Sequence, residues 1–109
     1  MNETRTPKEF FEMLPSKFKP DKAAGIDVIV QISINGSNGG DWIVTVENQK
    51  LRTKEGIHPS SMLELKMEES DFMDLINGKI SSEKAFMTGK IKFKGNIGLA
   101  LRLKQTGFL

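Results

Sequence analysis

Residues 71–103 read DFMDLINGKISSEKAFMTGKIKFKGNIGLALRL, an alternation of short helical and extended segments that is rich in apolar side chains. In its first part, Phe72, Leu75 and Ile76 fall at positions i, i+3 and i+4, a spacing that places side chains on one face of a helix. Gly78 is suited to end that helix, because glycine readily adopts the left-handed conformation that follows helix C-termini. The spacing therefore predicts a short amphipathic helix at the start of this stretch.

The rest of the stretch predicts two more helices with a strand between them. Ser81 or Ser82 is suited to cap the second helix, which is expected to end at Gly89. Lysines alternate strictly with apolar residues over residues 90–94, which is the pattern of a half-buried strand. Asn96 is the expected cap of the last helix, which is predicted to run to about residue 104.

The last helix carries more apolar surface than packing on a sheet requires. At 100° per residue, Ile97, Ala100 and Leu101 point in one direction and Leu99 and Leu103 in another, so the apolar arc spans roughly 200°. Contact with a sheet needs little more than about 100°. The excess predicts a cavity for an apolar ligand, or contact with another helix or with a second copy of the chain.

The first part of the chain contains one further helix signal. Thr6 precedes Pro7 and lies three residues before Glu9, which is the capping-box pattern, and apolar residues follow on one side. Pro15 is expected to interrupt this helix, because proline has no N–H to donate within it. We therefore predict a short amphipathic helix that ends near residue 14.

Alternation of apolar and polar residues predicts four strands before residue 71. It is clear in residues 27–35, 42–46 and 63–67 and weaker in the basic segment 50–54. The strands at 27–35, 42–46 and 50–54 are joined by short segments rich in turn-forming residues, so they are expected to form an antiparallel meander.

The pattern as a whole predicts the α+β class. One face of the sheet is apolar and the other is charged, so helices need to cover only one side. We expect a five-stranded, mostly antiparallel sheet covered on one face by helices. The length of 109 residues suits a single domain, residues 1–109.

Side chains that carry enzyme or metal chemistry are scarce. The chain has no Cys, no Tyr and one His, and that histidine, His58, has no second imidazole or thiolate with which to share a metal. The pattern G-x-S-x-G is absent, as are phosphate-binding and dinucleotide-binding glycine patterns. We therefore expect no catalytic residue, no metal and no cofactor. A hydrolase that uses His58 is the weakest alternative.

Basic residues accumulate around two predicted strands and are expected on the solvent face of the sheet: Lys50, Arg52, Lys54, Lys90, Lys92 and Lys94. Such residues usually mark a solvated surface, but each also contributes about 1 kcal/mol of attraction to an anionic membrane surface. Transient contact with such a membrane is therefore a possible partner interaction. Nucleic-acid binding is not expected, because Phe93 alternates with lysines and faces the core instead of the solvent. The absence of a secretory signal and of Cys favours a cytoplasmic location.

Five segments together resemble the sterol carrier protein 2 domain family, and the likeness covers nearly the whole chain. The segments are DFMDLINGK (71–79), KAFMTGKIKFKGN (84–96), IGLAL (97–101), LPSKFKPDKAAG (14–25) and GGDW (39–42). Asn96 stands where the family often has Asp, which changes the helix cap by one charge but retains a capping oxygen.

The resemblance implies a hydrophobic tunnel between the sheet and the C-terminal helices that binds and carries a sterol, a fatty acid, a fatty acyl chain or another lipid without catalysis. Carried over by motif position, the residues expected to line this lipid-binding cavity are Phe72, Leu75, Ile76, Phe86, Met87, Ile91, Phe93, Ile97, Ala100, Leu101 and Leu103.

The main alternative uses the same apolar surface for protein contacts. In that case the chain is an interaction or dimerisation module that serves a lipid-metabolising enzyme, and side chains close the cavity. The chain is therefore expected to be either a monomer or a homodimer. Its expected binding partner is a hydrophobic small-molecule lipid.

Overall fold

Five strands form one sheet in the computed structural model, which describes residues 6–108. The outermost residues of the predicted domain, 1–5 and 109, lie outside the described part. In chain order the elements are α1 (Pro7–Lys17), a 3₁₀ turn (Pro20–Lys22), β1 (Val28–Asn35), β2 (Gly40–Glu47), β3 (Lys50–Glu55), β4 (Leu63–Glu68), α2 (Glu69–Ile76), α3 (Ser82–Met87), β5 (Lys92–Lys94) and α4 (Ile97–Lys104).

The strands lie in the order β3-β2-β1-β4-β5. β1, β2 and β3 form the predicted antiparallel meander, β4 runs parallel to β1, and β5 is antiparallel to β4. Val30 lies opposite Val44 on one side and opposite Leu63 on the other, so the alternating apolar residues of neighbouring strands share one face. The predicted α+β fold with a mostly antiparallel sheet is confirmed.

A two-residue turn fixes the register of β2 against β3. Asn48 and Gln49 have φ values of 52° and 59°, and Glu47 pairs with Lys50 across them. Positive φ at both central residues matches the right-handed twist of the paired strands. The turn thereby places Val46 opposite Leu51 on the apolar face.

An aromatic cluster holds α1 and α2 over the meander. The Phe11 ring stacks on Trp42 at 4.7 Å and on Phe72 at 5.7 Å, measured between ring centroids. Phe10 meets the edge of Phe72 at 5.4 Å. These aromatic side chains are buried, so this half of the sheet is covered by a filled core.

The prediction that Pro15 interrupts the first helix was wrong. α1 continues to Lys17, although Pro15 has no N–H with which to bond the carbonyl oxygen of Phe11. The Thr53 hydroxyl of β3 donates to that oxygen at 3.2 Å. A partner distant in sequence thus satisfies the group that Pro15 leaves free, and the helix persists.

Thr53→Val is therefore expected to lower the free energy of unfolding by about 1–2 kcal/mol, because the Phe11 carbonyl loses its partner. The loss should be smaller in a Pro15→Ala background, where position 15 regains a backbone N–H. Urea denaturation followed by Trp42 fluorescence measures both values. Thr45→Val, on the opposite face of the sheet, is the control, and equal losses in the two backgrounds would refute the explanation.

Five of the six basic residues share the solvent face as expected but lie at opposite edges of the sheet, whereas Lys90 precedes β5 and belongs to no strand. Lys50, Arg52 and Lys54 belong to β3, and Lys92 and Lys94 belong to β5, with β2, β1 and β4 between them. Four strand spacings separate these edges by about 19 Å. They therefore form two separate basic edges and not one patch.

β5 begins two residues later than predicted, at Lys92. The backbone N–H groups of Lys90 and Ile91 both donate to the carbonyl oxygen of Ala85, at 2.8 and 3.2 Å. These bonds hold the residues against the end of α3, so they are not available to the sheet.

Candidate functional site

A cleft of about 270 Å³ lies between the β1-β4-β5 part of the sheet and helices α3 and α4. Its surface is almost wholly apolar. The residues that line it are Val30, Leu63, Leu65, Ser82, Glu83, Phe86, Met87, Ile91, Phe93, Ile97, Ala100, Leu101, Leu103, Lys104 and Phe108.

Helix caps position the two helical walls. The Ser81 side chain accepts a hydrogen bond from the backbone N–H of Lys84 at 3.1 Å and starts α3. The Asn96 side chain accepts one from the N–H of Leu99 at 3.0 Å and starts α4. Both caps satisfy N–H groups that the first helical turn leaves without partners. Asn96 is the predicted cap of α4, and Ser81 is one of the two serines predicted to cap α3.

Gly95 allows the chain to cross closely over β4 between β5 and α4. Its φ is 128°, and a Cβ atom there would lie 2.7 Å from both the Met62 carbonyl oxygen and the Leu63 Cδ2. Such a distance excludes any side chain unless the backbone moves. The absence of a side chain at Gly95 therefore sets how near α4 lies to the floor of the cleft.

The cleft is buried on its floor and open at its mouth. Val30, Leu63 and Leu103 are buried, whereas Met87 is 82% exposed and Leu101 is 53% exposed. Large apolar side chains grouped at an opening are unusual on a soluble surface and mark binding sites for apolar partners. The geometry can therefore receive an apolar group from solvent.

Three polar side chains stand together at one end of the cleft. The Lys104 ammonium donates to Glu83 Oε2, and the Ser82 hydroxyl donates to Glu83 Oε1 at 3.5 Å. The hydrogen bond from Lys104, together with a backbone hydrogen bond and the charge of Lys104, holds the pKa of Glu83 below its ordinary value. Glu83 is consequently a carboxylate at neutral pH, and it bridges α3 to α4.

Most residues predicted to line a lipid cavity surround this one cleft. They are Phe86, Met87, Ile91, Phe93, Ile97, Ala100, Leu101 and Leu103. Phe72, Leu75 and Ile76 do not line it, because they belong to α2, and Phe72 is 0% exposed beneath Phe10 and Phe11. A binding role for each predicted residue stays a prediction.

Sequence reasoning missed part of the lining. Val30, Leu63 and Leu65 were recognised as alternating strand residues, but only the parallel pairing of β1 with β4 brings them beneath α4. No local pattern specifies that pairing. Phe108 lies beyond α4 and is buried. The sequence analysis missed it because it predicted no structure after the last helix, which was expected to end at about residue 104.

A second groove, of about 610 Å³, lies at the other end of β1 and β4. Its lining mixes lysines with acids, including Lys66, Lys92, Asp41 and Glu68, and Lys90 forms an ion pair with Asp71 at 3.7 Å. Groups of both signs favour water over an apolar ligand. The smaller, apolar cleft is therefore the candidate site.

His58 lies on the sheet face opposite the cleft. Its backbone N–H donates to Gln31 Oε1 at 2.7 Å, and its Nδ1 accepts from the Ser60 N–H at 2.9 Å. These bonds shape a loop. Within residues 6–108 no group of three or more His, Cys, Asp or Glu side chains could hold a metal, and no helix there is long and apolar enough to cross a bilayer.

Two curated proteins illustrate the relatives of this chain. Hydroxysteroid dehydrogenase-like protein 2 of Mus musculus is 28% identical over 100 residues, which are 90% of this chain and 20% of that protein. The chain thus spans about a fifth of the length of that relative. Oleate-induced peroxisomal protein POX18 of Candida maltosa is 30% identical over 102 residues, which are 90% of this chain and 80% of that protein.

A solved structure shares the fold, and a family model matches most of the sequence. Palmitated SCP2L2 of Aedes aegypti superimposes with a TM-score of 0.71 at 21% identity, over 93% of each chain. The model of the SCP-2 sterol transfer family matches residues 8–106. The resemblance seen in the sequence is confirmed, and the chain belongs to the SCP-2 sterol transfer family.

Proposed function

We propose that the chain binds and carries a hydrophobic ligand, without catalysis, in the cleft between the sheet and helices α3 and α4. The observation that carries this proposal is an apolar cleft whose floor is formed but whose mouth leaves Met87 and Leu101 exposed. A site that takes an apolar guest needs such an open apolar surface. The family supports the same class of ligand.

The size of the cleft favours one alkyl chain as the guest. At about 270 Å³ it lies just below the roughly 300–1,000 Å³ of most small-molecule sites. Burial of on the order of 400 Å² of alkyl surface contributes roughly 10 kcal/mol. Association and ordering cost about 4 kcal/mol or more, which leaves about 6 kcal/mol at most, an affinity of tens of micromolar or weaker. A sterol or a second chain requires α3 and α4 to move apart.

Affinity is expected to rise roughly fourfold for each methylene added to the ligand until the cleft is filled, because each buried methylene contributes about 0.8 kcal/mol. Isothermal titration of saturated fatty alcohols of increasing length, each below its critical micelle concentration, measures this slope. If fatty alcohols of every length fail to bind, the proposal is refuted. Native mass spectrometry with organic extraction of freshly purified protein would show which lipid it acquires in cells.

The exposed apolar rim also favours a second candidate, an interaction module for a lipid-metabolising enzyme or for a second copy of the chain. Met87 and Leu101 would then meet a protein surface. Sedimentation at several concentrations separates the two: a dimer that fails to bind alcohols supports the module, whereas a monomer that binds them supports the carrier. Contact with an anionic membrane and a cytoplasmic location stay predictions.

A further inference from the structure

The polar end of the cleft points to a residue that selects among the proposed ligands, and this inference rests on the proposed lipid-binding function. Among the described lining residues, polar side chains are confined to Ser82, Glu83 and Lys104. Ser82 and Lys104 both contact Glu83, so the polar part of the lining is a single cluster and the remaining wall is apolar. An amphiphile with one polar end matches this division.

Lys104 is the one cation among the described lining residues, and it already forms an ion pair with the carboxylate of Glu83. The Lys104 and Glu83 side chains are 37% and 61% exposed. An ion pair with that much contact with water contributes little to stability, so exchange of one carboxylate for another costs little. The Glu83 carboxylate therefore marks a position that an anionic group can occupy beside Lys104, and its own ion pair is weak enough to be replaced.

We infer that Lys104 is the receptor for an anionic lipid headgroup, and that a ligand carboxylate replaces Glu83 as its partner while the alkyl chain enters the cleft. Ser82 lies beside this position and offers a hydroxyl donor. Among the lipids already expected, Lys104 thus selects a single-chain fatty acid over a neutral alcohol, ester or sterol. Glu83 then releases Lys104 when the ligand carboxylate binds.

Placement of the headgroup elsewhere is disfavoured by the rest of the lining. A carboxylate moved into the apolar part loses its hydration and finds no donor, a cost of several kcal/mol. At Lys104 the same group keeps contact with water and gains a charge-assisted hydrogen bond. Lys104 lies in the last turn of α4 and its side chain is 37% exposed, so a headgroup bound there keeps contact with water while the alkyl chain extends into the cleft.

Dodecanoic acid and dodecanol, which share one alkyl chain, test the inference by isothermal titration at neutral pH and low salt. The wild-type chain is expected to bind the acid roughly threefold to fivefold more tightly than the alcohol. Lys104→Gln should abolish this preference, because it weakens binding of the acid more than binding of the alcohol. Glu83→Gln should increase the preference, because it removes the competing carboxylate. Arg102→Gln, on the same helix but outside the lining, should leave it unchanged.

The outcomes separate this inference from the function on which it rests. Binding of neither ligand would refute lipid carriage itself. Equal binding of acid and alcohol by the wild-type chain and by every variant would refute the headgroup role and leave carriage intact. If Lys104→Gln weakens both ligands alike, the lysine only supports the structure, and the inference fails. Circular dichroism on each variant confirms that it is folded.

Discussion

Ala100→Trp is expected to abolish most lipid binding while the fold survives. Ala100 faces the cleft from α4, and an indole there fills space that a ligand would occupy. Displacement of on the order of 100 Å² of ligand contact costs about 2.5 kcal/mol at 25 cal/mol per Å². That loss corresponds to roughly a 70-fold weaker affinity. Isothermal titration with dodecanol measures it.

The matched control for this variant is Ile57→Trp. Ile57 is 75% exposed and lies outside the cleft, so the same side chain added there should leave affinity unchanged. Thermal unfolding followed by circular dichroism should show that both variants retain the native fold. Wild-type dodecanol affinity in the Ala100→Trp variant would mean that the ligand binds elsewhere.

Phe72→Ala is expected to have the largest effect on stability. Phe72 is fully buried and contacts both Phe10 and Phe11, so its truncation leaves a cavity under α1 and α2. Loss of a buried Phe side chain lowers the free energy of unfolding by about 3–5 kcal/mol. For a domain of this size the melting temperature should fall by roughly 15 °C or more. Urea and thermal denaturation measure the two quantities.

Phe86→Ala makes the same truncation in the cleft and is the control for Phe72→Ala. Phe86 is exposed at the mouth, and its ring meets Phe93 edge-on at 6.2 Å. Its truncation should change stability by less than about 1 kcal/mol and weaken dodecanol binding. If Phe72→Ala instead stays stable and loses affinity, Phe72 contacts the ligand, as the sequence resemblance implied.

The strands and helix caps could be predicted because their signals are local. Alternation in β1 and β2 and the capping oxygens of Ser81 and Asn96 each depend on a few adjacent residues. The same holds for Gly78 and Gly89, which have φ values of 78° and 80° and follow helices as expected.

Features that depend on contacts between residues far apart in the chain could not be predicted from the sequence. Whether an apolar helix residue lies in the core or in the cleft depends on which part of the sheet the helix covers, so Phe72 and Phe86 look alike before the fold is known. The continuation of α1 through Pro15 depends on Thr53 of another element. Periodicity identifies the apolar faces but not their partners.

Positive charge on β3 and β5 has a consequence for behaviour at high concentration. These strands are the outermost ones of the sheet that residues 6–108 form, and the outward N–H and C=O groups of an outer strand can pair with strands of neighbouring molecules. Lysine side chains on both edges oppose such fibril-like growth by mutual repulsion. The charged edges thereby oppose strand pairing between neighbouring molecules, even in the ligand-free state in which the apolar mouth of the cleft is uncovered.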